Sequence, residues 1–468
     1  AQGIAPVQLV SRDDEVTSAR EVYAALRLST PAGRSTVLSF GGAADLDALP
    51  FRLAFGLWRL QTGRSAHIGF AGDAPRLTAA EAFELFQQQG LFAPAGTDVY
   101  ALAAEALAAA DFEVLRVNPR DPALPPGLDA LVWLQPRRSI EKMLEQTALY
   151  LHGGGKVLLG AQHFVLQPRQ FPGRDFMTVW WPAPQTPDVD RLWLPELGLQ
   201  MVREVLFDEL KTSAPLETLV YAGTRRDAKK HDTALPFVLR VSAANFADSP
   251  VTRGLSDLAF VCPAYLRVDE ALLSAAGLRA QPLFTSSERS WSYAWTAGYL
   301  EPVLLEGPQQ PEGEPPRWLG RVPLGLDVSG QFPLPAGPIV PSPPVQGPDG
   351  QYVEGPPREW PPSGVPEAHP GRLLFLAQTE CFKNQRLLVP EFRADHLLVN
   401  AVASLALDEG LAGVAAQRPA PRGLPAVEPD ARLAWRAAVL GGFPAALLLL
   451  GVAWGLLRRA PPRAGKAA

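Results

Sequence analysis

Short apolar runs alternating with helical segments limit this chain to very few architectures. The runs are Ala66–Phe70 (AHIGF), Phe112–Val117 (FEVLRV), Asp129–Leu134 (DALVWL), Lys156–Leu159 (KVLL) and Arg372–Ala377 (RLLFLA). Each has the length of a strand. Between them lie helical patterns at Asp98–Ala110, with Thr97 as its N-cap, and at Ser139–His152; Ala394–Leu407 follows the last run, with Asp395 near its start. Strands separated by helices of about 10 to 15 residues require crossover connections. The predicted fold class is therefore α/β, a mostly parallel sheet flanked by helices on both faces.

Ahead of this rhythm, Val22–Leu28 and Ser35–Phe40 predict a hairpin or sheet edge. Asp45–Leu60 sets Leu49, Leu53, Leu57 and Leu60 at helical spacing and stops at Gly63. Residues 1–62 are thus expected to be the remnant of a β-rich N-terminal subdomain with a connecting helix, and 63–300 the main α/β domain. In 301–370 the pairs Pro315-Pro316, Pro343-Pro344, Pro356-Pro357 and Pro361-Pro362 exclude regular helix or central strand. There Gly320–Val328 is predicted as an edge strand. The remainder is expected to be a semi-rigid, largely solvated insertion or partner-binding arm. Residues 371–412 return a final strand and helix to the sheet, and 413–436 form a Pro- and Arg-containing linker.

Ala437–Leu457 contains no charged residue and lies between Arg436 and the pair Arg458, Arg459. At about 1.5 Å per residue this run is long enough to cross a bilayer core. Pro444 and Gly441-Gly442 would weaken a water-soluble helix but are common in membrane helices. Trp435 and Trp454 complete the predicted anchor. The tail 458–468 has Arg458, Arg459, Arg463 and Lys466 and no acid, which predicts a short cytoplasmic tail. The bulk of the chain is then expected on the periplasmic side of a bacterial inner membrane. An exported domain needs a first signal, and none is present, so the natural start is expected to lie upstream.

The composition, 47% hydrophobic and 19% charged with a net charge of -5, supports a sizeable core and offers no basic field for nucleic acid. Cys262 and Cys381 are too few for a disulfide framework and are expected to be buried free thiols. Gly153-Gly154-Gly155-Lys156 ends a helix and precedes a strand, the reverse of a phosphate loop, and is expected to be a helix cap. No Gly-x-Cys-x-Gly or Gly-x-Ser-x-Gly follows any strand. A pairing of Cys381 with His163 across the sheet has no orienting motif. The six histidines show no metal-ligand spacing. No catalytic residue, metal or cofactor is therefore expected. Trp180, Trp181 and Trp193, in the Pro-interrupted stretch after KVLL, suit either a core-covering lid or a partner contact. Trp291, Tyr293 and Trp295 alternate as on one face of a strand.

The collinear order of these segments resembles the GldG-type family, membrane-anchored auxiliary components of ABC-type transport systems named for a gliding-motility protein. The resemblance is carried by GIAPVQ at 3–8, AHIGF, DALVWL, HGGGKVLLG, LPELGL at 194–199, DSPVTRGL at 248–255, TSSERSW at 285–291, RLLFLAQTECFKNQ and DHLLVNAVASLA. Where the family pattern runs roughly Gly-Asp-Ser-Asp-Phe-x-x-Asn, this chain has Ala377-Gln378-Thr379-Glu380-Cys381-Phe382-Lys383-Asn384, so Glu380, Phe382 and Asn384 keep the character. The resemblance implies a sheet like that of class I glutamine amidotransferases or flavodoxins without catalytic residues. It also implies permease and ATPase partners. Trp180, Trp181 and Trp193, from their place after the KVLL strand, stand with Glu380 and Asn384 as candidate partner- or ligand-binding residues. The expected function is a non-enzymatic auxiliary component of an export or motility system. The alternatives are a membrane-tethered amidotransferase-like hydrolase and a structural scaffold of envelope machinery.

Overall fold

The computed structural model describes residues 7–13, 16–22, 24–40, 48–72, 98–136, 140–171, 177–213, 216–222, 225–231, 234–309, 315–346, 351–353, 355–356, 358–417 and Arg436. The described residues between 7 and 417 form one compact unit. Thr97 and the predicted anchor, from Trp435 through Ala437–Leu457 to Arg458 and Arg459, lie outside the described residues, apart from the exposed Arg436. Among the described residues no helix is long and apolar enough to cross a membrane.

The two N-terminal ribbons pair Val7–Asp13 with Val16–Val22 and Ala25–Ser29 with Ser35–Ser39, so the predicted hairpin forms, its first strand starting at Ala25 rather than Val22. Helix α1, Leu49–Thr62, leads into the central sheet. The sheet is built from β1 (His67–Gly72), β2 (Glu113–Arg116), β3 (Ala130–Leu134), β4 (Lys156–Gly160), β5 (Leu278–Thr285), β6 (Pro323–Gly330) and β7 (Gly371–Leu376). Its order is β5-β6-β7-β4-β3-β1-β2. The pairs β1–β2, β1–β3, β3–β4 and β4–β7 are parallel, whereas β6 runs antiparallel to both β5 and β7. The order 2-1-3-4 with a fifth parallel strand beside β4 is that of flavodoxin-like doubly wound sheets, whose order reverses between β1 and β3.

Strand periodicity separates the two faces. Val132, Leu134, Leu158, Leu374 and Leu376 join one buried cluster, which also takes α1, α2 (Ala101–Ala109) and α4 (Ala394–Ala406). Leu131, Trp133, Val157, Leu159, Leu373 and Phe375 point into the other, against α3 (Glu141–His152). Strands buried on both faces are continuous apolar runs, and for this reason DALVWL and RLLFLA stood out.

Three expectations need correction. The stripe that α1 buries is Phe51, Phe55 and Leu60, and Leu57 is half exposed. The aromatic rings decide the rotation: Phe51 stacks on Phe55 at 5.5 Å, and Phe112 packs against both. Arg52 is buried on the same side because Asp111 (2.9 Å) and the Ser39 carbonyl (2.9 Å) receive its guanidinium. Second, α2 begins at Ala101, where the Asp98 carboxylate accepts from the Tyr100 N–H at 3.1 Å. Third, β6, predicted at an edge, is an interior strand with neighbours on both sides.

The described parts of the Pro-rich stretch are strapped to the α/β body rather than wholly solvated. Phe332 is buried in the second cluster, and the His152 imidazole Nδ1 is 2.8 Å from its carbonyl. Arg358 and the Val340 N–H converge on Glu145 of α3, and the Trp360 indole donates to the Pro335 carbonyl. A third, aromatic-rich cluster holds Phe164, Trp180, Phe207, Phe237 and Trp291 among short antiparallel strands.

Candidate functional site

In open α/β sheets ligands meet the carboxyl ends of the strands, near the point where strand order reverses. Here that rim is filled by the protein's own amides. Gln135 follows β3 with φ 52, and its N–H donates to the Gly160 carbonyl at 2.7 Å. Its side chain pairs with the backbone of Gln162, donating to the carbonyl at 3.0 Å and accepting from the N–H at 3.2 Å. Gln162 Oε1 in turn accepts from the Thr379 N–H (2.8 Å), the Glu380 N–H (3.1 Å) and the Thr379 hydroxyl (3.0 Å). Gln378 Oε1 is a second acceptor for the same two N–H groups, at 3.0 and 3.3 Å.

All of these side chains are buried. Successive N–H groups at a strand-to-helix turn form a nest suited to an anion or a polarised carbonyl. In this chain a glutamine amide occupies it. Glu380, also buried, forms ion pairs with Lys383 and Arg386. Gln378 Nε2 and Arg386 Nε are buried donors without a hydrogen-bond partner among the described residues.

Neither thiol is poised as a nucleophile. Cys262 and Cys381 are free and buried. Burial pushes both thiols up, and the Glu380 charge raises them further. Attack requires the thiolate, the form this environment disfavours. His163 Nε2 lies 3.1 Å from Asp190 Oδ2 and 3.2 Å from the Met201 carbonyl, so its contacts are made away from a thiol. Among the described residues no group of three or more His, Cys, Asp or Glu could hold a metal ion.

The candidate contact residues do not form one patch. Trp193 is buried in the second cluster, and Trp180 in the third, edge-on to Phe237 at 5.2 Å. Trp181 is half buried, on the strand Met177–Pro184 that pairs with Phe164–Phe171. Asn384 is committed to α2: its Oδ1 accepts from the Leu102 N–H at 2.9 Å and its Nδ2 donates to the Asp98 carbonyl at 2.8 Å. A separate groove of about 350 Å³ opens between α1, α2 and α4, with Phe51, Leu102, Ala106, Arg393 and Val399 in its walls.

A family model for an ABC-type uncharacterized transport system matches residues 83–401, more than half of the chain. The chain belongs to this family. No curated protein and no solved structure showed a match. The match agrees with the GldG-type resemblance and spans the rim, the three tryptophans and Asn384.

Within the family region, the motifs that carried the resemblance serve as internal latches. In DSPVTRGL the Val251 and Arg253 carbonyls accept from Asn400 of the DHLLVNA helix, at 3.3 and 3.0 Å. In TSSERSW the Ser286 hydroxyl accepts from the Val322 N–H at 2.9 Å and Ser290 donates to the Gly320 carbonyl at 2.7 Å, which fixes the entry to β6. Asp208 holds the same loop through the Ser287 N–H and hydroxyl. In HGGGK, as expected, the glycines cap α3: Gly154 has φ 87, and a Cβ on Gly155 would lie 2.5 Å from the Tyr150 carbonyl oxygen. LPELGL turns at Gly198, with φ 75. Sequence reasoning missed Gln135, Gln162 and Gln378; the available signal was a glutamine one or two places past three separate apolar strands.

Proposed function

We propose that this chain is a non-enzymatic auxiliary subunit of an ABC-type export or motility system, working through protein or ligand contact while another subunit hydrolyses ATP. The segment 437–457 holds it to a bacterial inner membrane, its α/β body lies on the extracytoplasmic side, and a permease and an ATPase are its partners. Membership of the ABC-type transport family supports the class. The observation that carries the non-catalytic reading is the rim, where Gln162 Oε1 occupies the paired N–H groups of Thr379 and Glu380. A hydrolase on such a sheet needs that nest open beside a nucleophile and its base. Here it is closed, and both thiols are driven toward the unreactive form.

The test is to express the full chain with the permease and ATPase from neighbouring reading frames and purify it in mild detergent. The expected result is a three-part complex whose ATP hydrolysis survives thiol alkylation and disappears when the ATPase is omitted. A chain that purifies alone, or one with thiol-dependent amide or ester turnover, overturns the proposal.

A further inference from the structure

The segment between β6 and β7 has a fixed base and an open outer part. At the base, the Val340 N–H donates to Glu145 at 3.1 Å, Arg358 donates to the Val340 carbonyl at 3.3 Å, and the Ser342 hydroxyl donates to the Pro356 carbonyl at 2.8 Å. Ile339 packs against the second core cluster. The two legs approach so closely that a Cβ on Gly355 would meet the Pro343 carbonyl oxygen at 2.3 Å.

Beyond the base the surface changes. Pro341, Pro343 and Pro344 are exposed, and a small ribbon pairs Val345 with Val353 and Gln346 with Tyr352. Val345 is 43% exposed and Tyr352 is 73% exposed. Apolar and aromatic groups held this far into water, on a base tied by a buried carboxylate, lose little further freedom on binding. Tyrosine gives large contact area at low entropic cost, and proline-rich extended chain docks on aromatic-lined grooves. Residues 341–370 contain Asp349, Glu354, Glu359 and Glu367 against one arginine, Arg358, whose guanidinium is bonded to Glu145. The arm is therefore acidic.

We infer that this arm is the docking element for the permease subunit, entering a groove on its extracytoplasmic face with aromatic walls and a basic rim. Tyr352, Val345 and the Pro343-Pro344 pair make the contact, and the Glu145–Arg358 pair positions them. The inference rests on the proposed function and names its contact surface.

The test uses the full chain co-expressed with the adjacent permease and ATPase. One variant combines Pro343→Ala, Pro344→Ala, Val345→Ser and Tyr352→Ser, all on exposed positions. Co-purified permease should fall by at least about tenfold, the loss expected when an aromatic anchor is removed, while the melting temperature stays that of the wild type. A photo-crosslinker replacing Tyr352 should link to the permease; a link to the ATPase instead would overturn the inference. If the variant retains its full share of both subunits, the arm is not the docking element, although the proposed function stands. If the wild-type chain brings down neither subunit, both fall.

Discussion

Arg358 grips Glu145 with both terminal guanidinium nitrogens, each 3.1 Å from a different carboxylate oxygen. The Glu145 side chain is 6% exposed and that of Arg358 33% exposed, so the contact ties the proline-rich strap to a buried point on α3.

Removing one partner leaves the other desolvated without its counter-charge. Arg358→Ala should cost about 2–3 kcal/mol, and replacing both by leucine should cost much less. A double-mutant cycle by urea denaturation should give a coupling of about 1–3 kcal/mol. Additive single effects would show that the pair does not hold the strap.

The amide rim should behave as a stability element. Gln162→Leu keeps the volume but removes the acceptor shared by Thr379 and Glu380, while Gln378 Oε1 remains for both N–H groups. The expected loss is about 1–3 kcal/mol in chemical denaturation. If the nest were instead a ligand site blocked by its own glutamine, this variant would gain affinity for small carboxylates, which calorimetry would register.

Both thiols should resist modification until the chain opens. At neutral pH, Ellman's reagent should react with native protein no faster than unfolding allows, and with both cysteines at once in guanidinium. A thiol that reacts rapidly in the native state would reopen the enzyme reading.

Tyr150 supplies a pH signature. Burial, with a smaller contribution from the Asp129 charge, raises its phenol from 10.0 to about 12, against an opposing backbone hydrogen bond from Lys156. The native state then holds the proton more tightly than the unfolded chain does. Its contribution is fully present below pH 10 and is lost as the pH rises toward 12. The hydroxyl also donates to the Leu128 carbonyl at 3.0 Å. Wild type should therefore exceed Tyr150→Phe in urea midpoint at pH 9, and the gap should narrow at pH 11; a constant gap would contradict the assignment.

The parallel strands were legible in the sequence because burial on both faces leaves an unbroken apolar run, as in Ala130–Leu134. The antiparallel pair was harder. β5 reads LRAQPLFT, with Pro282 next to a register shift, a pattern tolerated at a sheet edge but poor in strand signal. β6 was seen but set at the edge, because the surrounding prolines argued against a central strand; in the structure it packs so closely that a Cβ at Gly325 would press on Leu376 and Phe284. Aromatic content marked Trp180 and Trp193, yet composition alone does not separate a ring that closes a core from one that meets a partner. The rim glutamines carry no motif, since their role arises when three distant turns converge.

The pairing of β4 with β7 joins Lys156 to Arg372, with the antiparallel additions and the strap in the intervening chain. During synthesis, the open edge of β4 must therefore wait for a partner more than two hundred residues away, which makes sheet closure a late and slow event. Until then that hydrophobic strand is a place where a nascent chain can pair wrongly, so the yield of native protein depends on protection during synthesis as much as on final stability.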